Sequence, residues 1–383
     1  MDVRIGRTLV AGERPVMPAD EAPTVGVEEE FALLDPETGA VAPRAAEVIR
    51  DCRDAAGVVA ESMTFMVETR TPVCRTLQEV GRSLRSRRRL VADAAREHGV
   101  LVAATGLAPF GMPAPPFVTD HPRYRELLRR YPLAMSTAGT CGCHVHVAVP
   151  NRQLGVEVLL RLRRWLPALI ALSANSPVSA GRDTGWASQR LVLVSRWPTA
   201  VPAPVVGSVE EYDDLVAAAV SSGDALDARS VYFLARLSPR YPTVEIRVAD
   251  VCLTVEETLC YVGLVRSLVA LALRDCLRGR AAPLVPERAL RVACRGAVRS
   301  GLRGSLADPL TGERIEAWAF VDRLLAHVGP QLLAHGDETG VVSTLGRLRA
   351  SGGGAERQRR LFAAARSPEG FVAALEATSG WSG

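Results

Sequence analysis

Four short segments of the sequence space acids, imidazoles and guanidiniums two residues apart, the repeat that puts side chains on one face of a β-strand. In Gly26-Val27-Glu28-Glu29-Glu30, Glu28 and Glu30 share a face while Glu29 points away. Two carboxylates so placed repel and raise each other's pKa unless a cation lies between them. Taken alone, this motif reads slightly better as a solvated edge strand. Between Glu61 and Thr71, Glu61 and Glu68 stand in an otherwise apolar run with Met63, Phe65, Met66 and Val67, where an acid is costly to bury without a partner. Arg70 is close enough in sequence for a salt bridge to be the plain alternative.

Cys141-Gly142-Cys143-His144-Val145-His146-Val147 has the residue types of a zinc cluster but not its geometry. On a strand the cysteines share one face and the histidines the other, so the four cannot enclose one ion. The histidine pair alone could reach a metal, against the ordinary reading of satisfied core imidazoles. Glu245-Ile246-Arg247 again puts two polar groups on one face. A carboxylate for a metal beside a guanidinium for a phosphate is what phosphoryl transfer uses. The alternative is an ion pair worth about 0.5 kcal/mol if exposed. Together the four segments suggest a sheet whose inner face is polar and encloses divalent cations.

Composition narrows the chemistry. Of 383 residues, 48% are hydrophobic and 23% charged, enough for a large core. All 46 basic side chains are arginine, so mechanisms that need an ε-amine are excluded: Schiff bases, pyridoxal phosphate, the P-loop and protein-kinase lysines. Recognition of phosphate or carboxylate falls to arginine, metals or backbone N–H groups. Eight cysteines without a CxxC pair, an N-terminus of acids and prolines, and no run of about eighteen apolar residues lead to the expectation of a reduced cytoplasmic protein that spans no membrane. The Arg85–Arg89 cluster is read as the solvated side of an amphipathic helix through Leu77, Val80, Leu84, Val91 and Ala95, and aromatics at 5% give no support for nucleic-acid binding.

These residues need elements to hold them. Thr24–Leu34 reads as a strand ending at the Asp35-Pro36-Glu37-Thr38-Gly39 turn. Helix is expected from about Pro43 to Ala56, a strand or hairpin arm over Val58–Thr71, helix over Leu77–His98 and a short strand over Val100–Thr105. The proline-rich stretch Pro109–Pro116 must be a loop, and one so long is often functional. Strand follows over Cys141–Val149, helix over Leu154–Ser173, a polar loop over Asn175–Gly185, and interrupted strand over Val231–Val251. A long helix runs from Val255 to Leu277 and only helix and short loop are expected beyond it, with Ser351-Gly352-Gly353-Gly354 as a turn. The reading is α+β: a tail over residues 1–23, then one catalytic domain over 24–383 whose C-terminal part is helical from about residue 254.

At these same motifs the sequence resembles the glutamate–cysteine ligase type 2 family of carboxylate–amine ligases, itself similar to glutamine synthetase. The matching segments are GVEEEFALLDPETG at 26–39, VETRTPVC at 67–74, CGCHVHVAV at 141–149, ALSANSPVSAGRDTGWASQR at 171–190 and SPRYPTVEIRVADVCLTVEET at 238–258, with weaker similarity onward to Arg357. The resemblance implies a curved antiparallel sheet forming an open half-barrel, helices on its outer face and the site on its concave face. It implies that ATP phosphorylates a carboxylate, most simply the γ-carboxylate of L-glutamate, and that an amine such as L-cysteine displaces phosphate. Magnesium, or manganese in its place, would be held by Glu28, Glu30, Glu61, Glu68, His144 and Glu245. Arg247, Glu68 and Glu245 are the implied catalytic groups, and His146, Arg190 and Arg236 the substrate contacts. The expected partners are small-molecule amino acids and amines, and a homodimer is compatible with the sequence. The chain departs from its relatives at Thr105–Pro109, which lacks a histidine, after Arg236, which lacks a proline, at Cys143, and over Ala293–Arg299. These departures lead us to expect a remodelled acceptor pocket. The alternatives are an amide ligase of specialised metabolism with another acid or amine, and a non-catalytic nucleotide-binding relative.

Overall fold

The computed structural model describes residues 22–52, 57–111 and 117–381. Most of the proposed tail and part of the proline-rich stretch therefore lie outside the described residues. The β-branched and aromatic run Val25–Leu34 forms β1, the strand around which the main sheet is built. Val58–Ala60 (β2), Met66–Arg70 (β3), Leu101–Ala103 (β4), Gly142–Ala148 (β5), Ala235–Leu237 (β6) and Thr243–Asp250 (β7) complete it. The order is β2-β3-β1-β5-β7-β6, with β4 also on β1, and every pairing is antiparallel. The open antiparallel sheet with helices outside it is the architecture expected from the resemblance.

One face of the sheet is apolar. Val25, Val27, Val145, Val147, Val244, Ile246 and Val248 point into a core shared with the helices Arg152–Leu162, Leu166–Ser173 and Val255–Leu277. A second core gathers the last residues of β1 with the helix Leu77–Glu97 and the C-terminal helix Pro368–Ser379. Both the N-cap of Leu77–Glu97 by Thr76 and that of Val255–Leu277 by Thr254 follow the preference for a hydroxyl at that position.

Glu29 sits on the apolar face, as period two requires, and is fully buried. Its partner is Arg88, 2% exposed, whose Nε and Nη2 donate to the carboxylate at 2.9 and 2.6 Å. Thr258 donates at 2.8 Å, and Arg88 also donates to the carbonyl of Cys252 and lies over the rings of Phe31 and Trp381. The arginine cluster is thus not all solvated: Arg88 is its inward member. Changing Glu29 to Gln should destabilise the fold by about 3–5 kcal/mol, because it strands a buried guanidinium. Chemical denaturation reads this directly, and a loss under ~1 kcal/mol would show that the pair is dispensable.

Some boundaries differ from expectation. Helix replaces the expected Pro43–Ala56 only over Ala45–Asp51, and residues 53–56 are not described. Val58–Thr71 is not one arm but two short strands, β2 and β3, separated by a turn that contains Glu61. The expected helix Leu154–Ser173 is interrupted by a 3-10 turn at Arg163–Trp165 and restarts at Leu166, because Pro167 has no N–H to continue the ladder. A small ribbon, Ser305–Ala307 with Arg314–Glu316, interrupts the helical C-terminal part. Val255–Leu277 has the bounds the sequence suggested. Among the described residues no helix is long and apolar enough to cross a membrane.

Candidate functional site

The other face of the sheet carries the polar pairs. The antiparallel register sets Glu28 opposite both Arg70 and His144, Glu30 opposite Glu68, and Glu245 opposite His146 and Arg236. Five strands therefore bring together residues that are up to 217 positions apart, from Glu28 to Glu245. Glu61 joins them from the turn between β2 and β3. A cavity of about 320 Å³ opens over this face, lined by Glu28, Glu30, Glu61, Glu68, His144, His146, Arg236, Glu245 and Arg247, all of them singled out in the sequence.

Within the cavity two donor sets form. Oxygens of Glu30, Glu61 and Glu68 lie within 4.8 Å of one another, as do donor atoms of Glu28, His146 and Glu245. Glu30 is fixed by the N–H of Gly142, which donates to Oε2 at 2.6 Å. His144 turns Nδ1 toward Glu28 at 3.4 Å and toward Glu30 at 4.0 Å, and its Nε2 is buried without a hydrogen bond. His146 accepts or donates at Thr243 Oγ1, 2.9 Å from Nδ1, and points Nε2 at Glu28, 3.7 Å away. The all-oxygen set suits a hard divalent cation that keeps part of its water shell, and the mixed set suits one that accepts imidazole.

Electrostatics agree with a site built for cations. Burial and the charge of Glu30 push the Glu61 carboxyl up to about 7, and burial with the charges of Glu28 and Glu61 pushes Glu68 up to about 8. Burial also tends to raise Glu28, but hydrogen bonds from His144 and His146 outweigh it and hold Glu28 well below the usual range. Burial, with the charge of Arg247, lowers His144. Glu245, 2% exposed, is held low against its burial by Arg247 and Arg236.

A pH dependence follows. Without metal, the folded protein holds protons on Glu61 and Glu68 that the unfolded chain, with carboxyls near 4.5, has already released. That contribution to stability is complete below the unfolded value and is lost as pH rises through 7 to 8. The melting temperature of metal-free protein should fall as pH rises from about 4.5 to 8, and saturating Mg²⁺ should remove the fall by taking the place of the protons. A metal-free curve flat over that range would contradict the crowding of these acids.

Four guanidiniums take different places around the site. Arg247 is bonded to Glu245, lies over the Tyr232 ring at 5.8 Å and is held charged by Glu245, Glu30 and Glu28 despite its burial. A β-bulge sits here, because the step from Cys143 to Val145 on β5 is matched by Ala249 to Ile246 on β7. Arg236 lines the cavity, but its donors are already occupied by Glu245 at 2.8 and 3.2 Å and by the carbonyls of Arg229 and Val231. Arg190 does not line the cavity. It is 4% exposed and packs behind the cavity wall on the polar face, over Gly142 next to His144 and 3.8 Å from Asp250. Arg70, read from sequence only as a salt-bridge partner, joins the site through Glu68 and Glu28.

Sequence reasoning missed the roof. Tyr124 and Leu127 from the helix Pro122–Arg130, with Trp197, Tyr232 and Tyr241, cover the polar floor. Arg123 ties this helix to Asp227 and to Ser230, the latter at 2.7 Å. The only sequence signal was a histidine–proline helix start followed by alternating Arg and Tyr. Of the positions where the chain departs from its relatives, Gly106 packs on Asp250, Cys143 lies in the apolar core, and Ala293 and Ala297 are buried in the helix Glu287–Ser300 away from the cavity, while Arg236 lines it.

Comparison with known proteins places this arrangement. The model of glutamate–cysteine ligase family 2 matches residues 24–376. A relative from Saccharopolyspora erythraea is 43% identical over 342 residues, covering 88% of this chain and 90% of its own. One from Salinispora arenicola is 44% identical over 352 residues, covering 90% and 93%. The fold is similar to that of a bifunctional glutathione synthetase from Pasteurella multocida (TM-score 0.70, 16% identity, 94% of this chain), of which it spans about half, 52%. It is also similar to a glutamate–cysteine ligase from Francisella tularensis solved in complex with AMP (TM-score 0.59, 13% identity, 94% and 92% coverage). The chain belongs to glutamate–cysteine ligase family 2 and is an ATP-dependent carboxylate–amine ligase.

Proposed function

We propose that the chain joins the γ-carboxylate of L-glutamate to the amino group of L-cysteine or a similar amine, with residues 24–383 acting as one catalytic unit. The observation that carries this is the convergence of five glutamates, two histidines and Arg247 on one roofed sheet face in a member of this family. The relatives are named, by inference, glutamate–cysteine ligases, and none of the departures outside Arg236 reaches the cavity, which removes one reason to choose another acceptor.

Both donor sets fit divalent cations, and Mg²⁺ held by Glu30, Glu61 and Glu68 and by Glu28, Glu245 and a histidine would offset phosphate charge. The imidazole of the second set is that of His146, not the His144 expected from the resemblance. Arg247, fixed by Glu245, faces the region where the transferred phosphoryl group gathers charge. The substrate carboxylate oxygen bonds to the γ-phosphorus as the bond to ADP breaks. The amine nitrogen then attacks the carbonyl carbon, phosphate leaves with its electron pair, and the nitrogen gives up a proton. Tyr124, Trp197 and Tyr232 keep water from the acyl phosphate, which would otherwise hydrolyse.

The test is ADP release with Mg²⁺-ATP and L-glutamate against a panel of amines that includes L-cysteine, with products identified by mass spectrometry. A γ-glutamylcysteine product supports the proposal as stated. Turnover only with another amine overturns cysteine as acceptor, and no turnover with any glutamate pair overturns glutamate as the acid.

A further inference from the structure

Arg190 was expected at the substrate, yet its side chain is not in the cavity wall: it packs over the backbone of Gly142, next to His144. Its position is set by a buried polar knot. Ser188, the N-cap of the helix Gln189–Val194, donates to Asp250 at 2.7 Å, as does Ser176, whose Oγ also accepts from the Arg190 N–H at 3.0 Å. The Asn175 N–H adds a third bond to Asp250 at 2.8 Å. Asp250 is thus saturated, and Arg190 Nη1 stands off from it at 3.8 Å.

The guanidinium itself is poorly bonded. Nε and Nη1 have no hydrogen bond, and Nη2 reaches only the Arg247 carbonyl, at 3.5 Å. What it does is fill space. A Cβ on Gly142 would lie 2.2 Å from Arg190 Nη2, 2.8 Å from its Cζ and 3.1 Å from His144 Nε2. A side chain at 142 would have to push the guanidinium aside, because it passes directly over that backbone. The same Gly142 donates the 2.6 Å bond to Glu30, and the same Arg247 backbone carries the guanidinium above the floor.

We propose that Arg190 is a positioning residue: packed over Gly142 behind the cavity wall, it sets the backbone of Gly142 and Arg247, and through them Glu30 and the Arg247 side chain, and it does not bind substrate. This rests on the ligase reading for its kinetic arm but not for its metal arm. A supporting group that fixes a metal carboxylate is worth about ten- to a hundredfold in metal affinity or activity, and a small misplacement of reacting groups about a hundredfold in rate.

The experiment compares the full chain with R190K, with the charge-neutral pair R190Q/D250N, which leaves no lone buried ion, and with G142A, which displaces the guanidinium without removing it. Mg²⁺ binding is measured by calorimetry without ATP, and kcat and KM are measured for the acid substrate. All three variants should bind Mg²⁺ about tenfold more weakly and lose about a hundredfold in kcat, with KM for the acid changed less than about twofold. Adding G142A to R190Q/D250N should have little further effect, because both act on one contact. A rise of tenfold or more in KM with Mg²⁺ affinity intact would make Arg190 a substrate clamp and overturn the proposal, as would unchanged Mg²⁺ binding and kcat. If the unaltered chain turns over no substrate, the ligase reading fails while calorimetry still decides the positioning role.

Discussion

Replacing Glu30 or Glu68 by Gln is expected to lower ATP-dependent turnover by about a thousandfold or more, equivalent to roughly 4 kcal/mol of barrier. Each supplies an oxygen to the same three-carboxylate set, and an amide is a far weaker partner for a hard cation. The competing explanation is an ordinary ion pair, since Glu68 is bonded to Arg70. The two differ in sign at one point. At pH 8 and without metal, E68Q should melt higher than the unaltered chain, because it relieves the crowding that raises Glu68 to about 8. An ion-pair role predicts the opposite, a less stable variant that keeps its turnover. Initial rates over a Mg²⁺ series and thermal melts with a chelator measure both.

R247K is expected to lose about 10²–10³ in kcat with little change in KM, the pattern for a group that acts where charge develops. Lysine keeps the charge but not the planar fork. Glu245 would still be held by Arg236 at 2.8 and 3.2 Å, so the buried carboxylate is not stranded and the fold should survive. Steady-state rates beside a thermal melt check this: a melting temperature that falls while kcat holds would make Arg247 a structural partner of Glu245 and nothing more.

The parts of this site that were legible in sequence are those that lie along strands. Period two fixes which of Glu28, Glu29 and Glu30 share a face, which face His144 and His146 take, and that Glu245 goes with Arg247. No further information is needed. Glu61 was found for its composition, not its geometry: seven residues from Glu68 on one continuous strand it would face the other way, and only the turn between β2 and β3 brings it round. Arg190 and Arg236 were expected as substrate contacts, but which partner saturates a guanidinium depends on contacts between distant segments that spacing does not encode. The roof was invisible for the same reason, since Tyr124, Trp197 and Tyr232 belong to no periodic pattern with the floor.

The ion pair between Glu29 and Arg88 also bears on how faithfully the chain finds its fold. Three consecutive glutamates could pair with their neighbours in either of two phases, and a slip of one residue in β1 would send two acids into the apolar core and leave one in the cavity. Only one phase gives the single inward acid a buried guanidinium and a hydroxyl to meet it, the guanidinium itself held by a carbonyl and two aromatic rings. The middle glutamate therefore acts as a phase marker: the contact that closes the core also counts the carboxylates delivered to the other side of the sheet, so a chain that has folded at all has folded with its metal-facing acids in place.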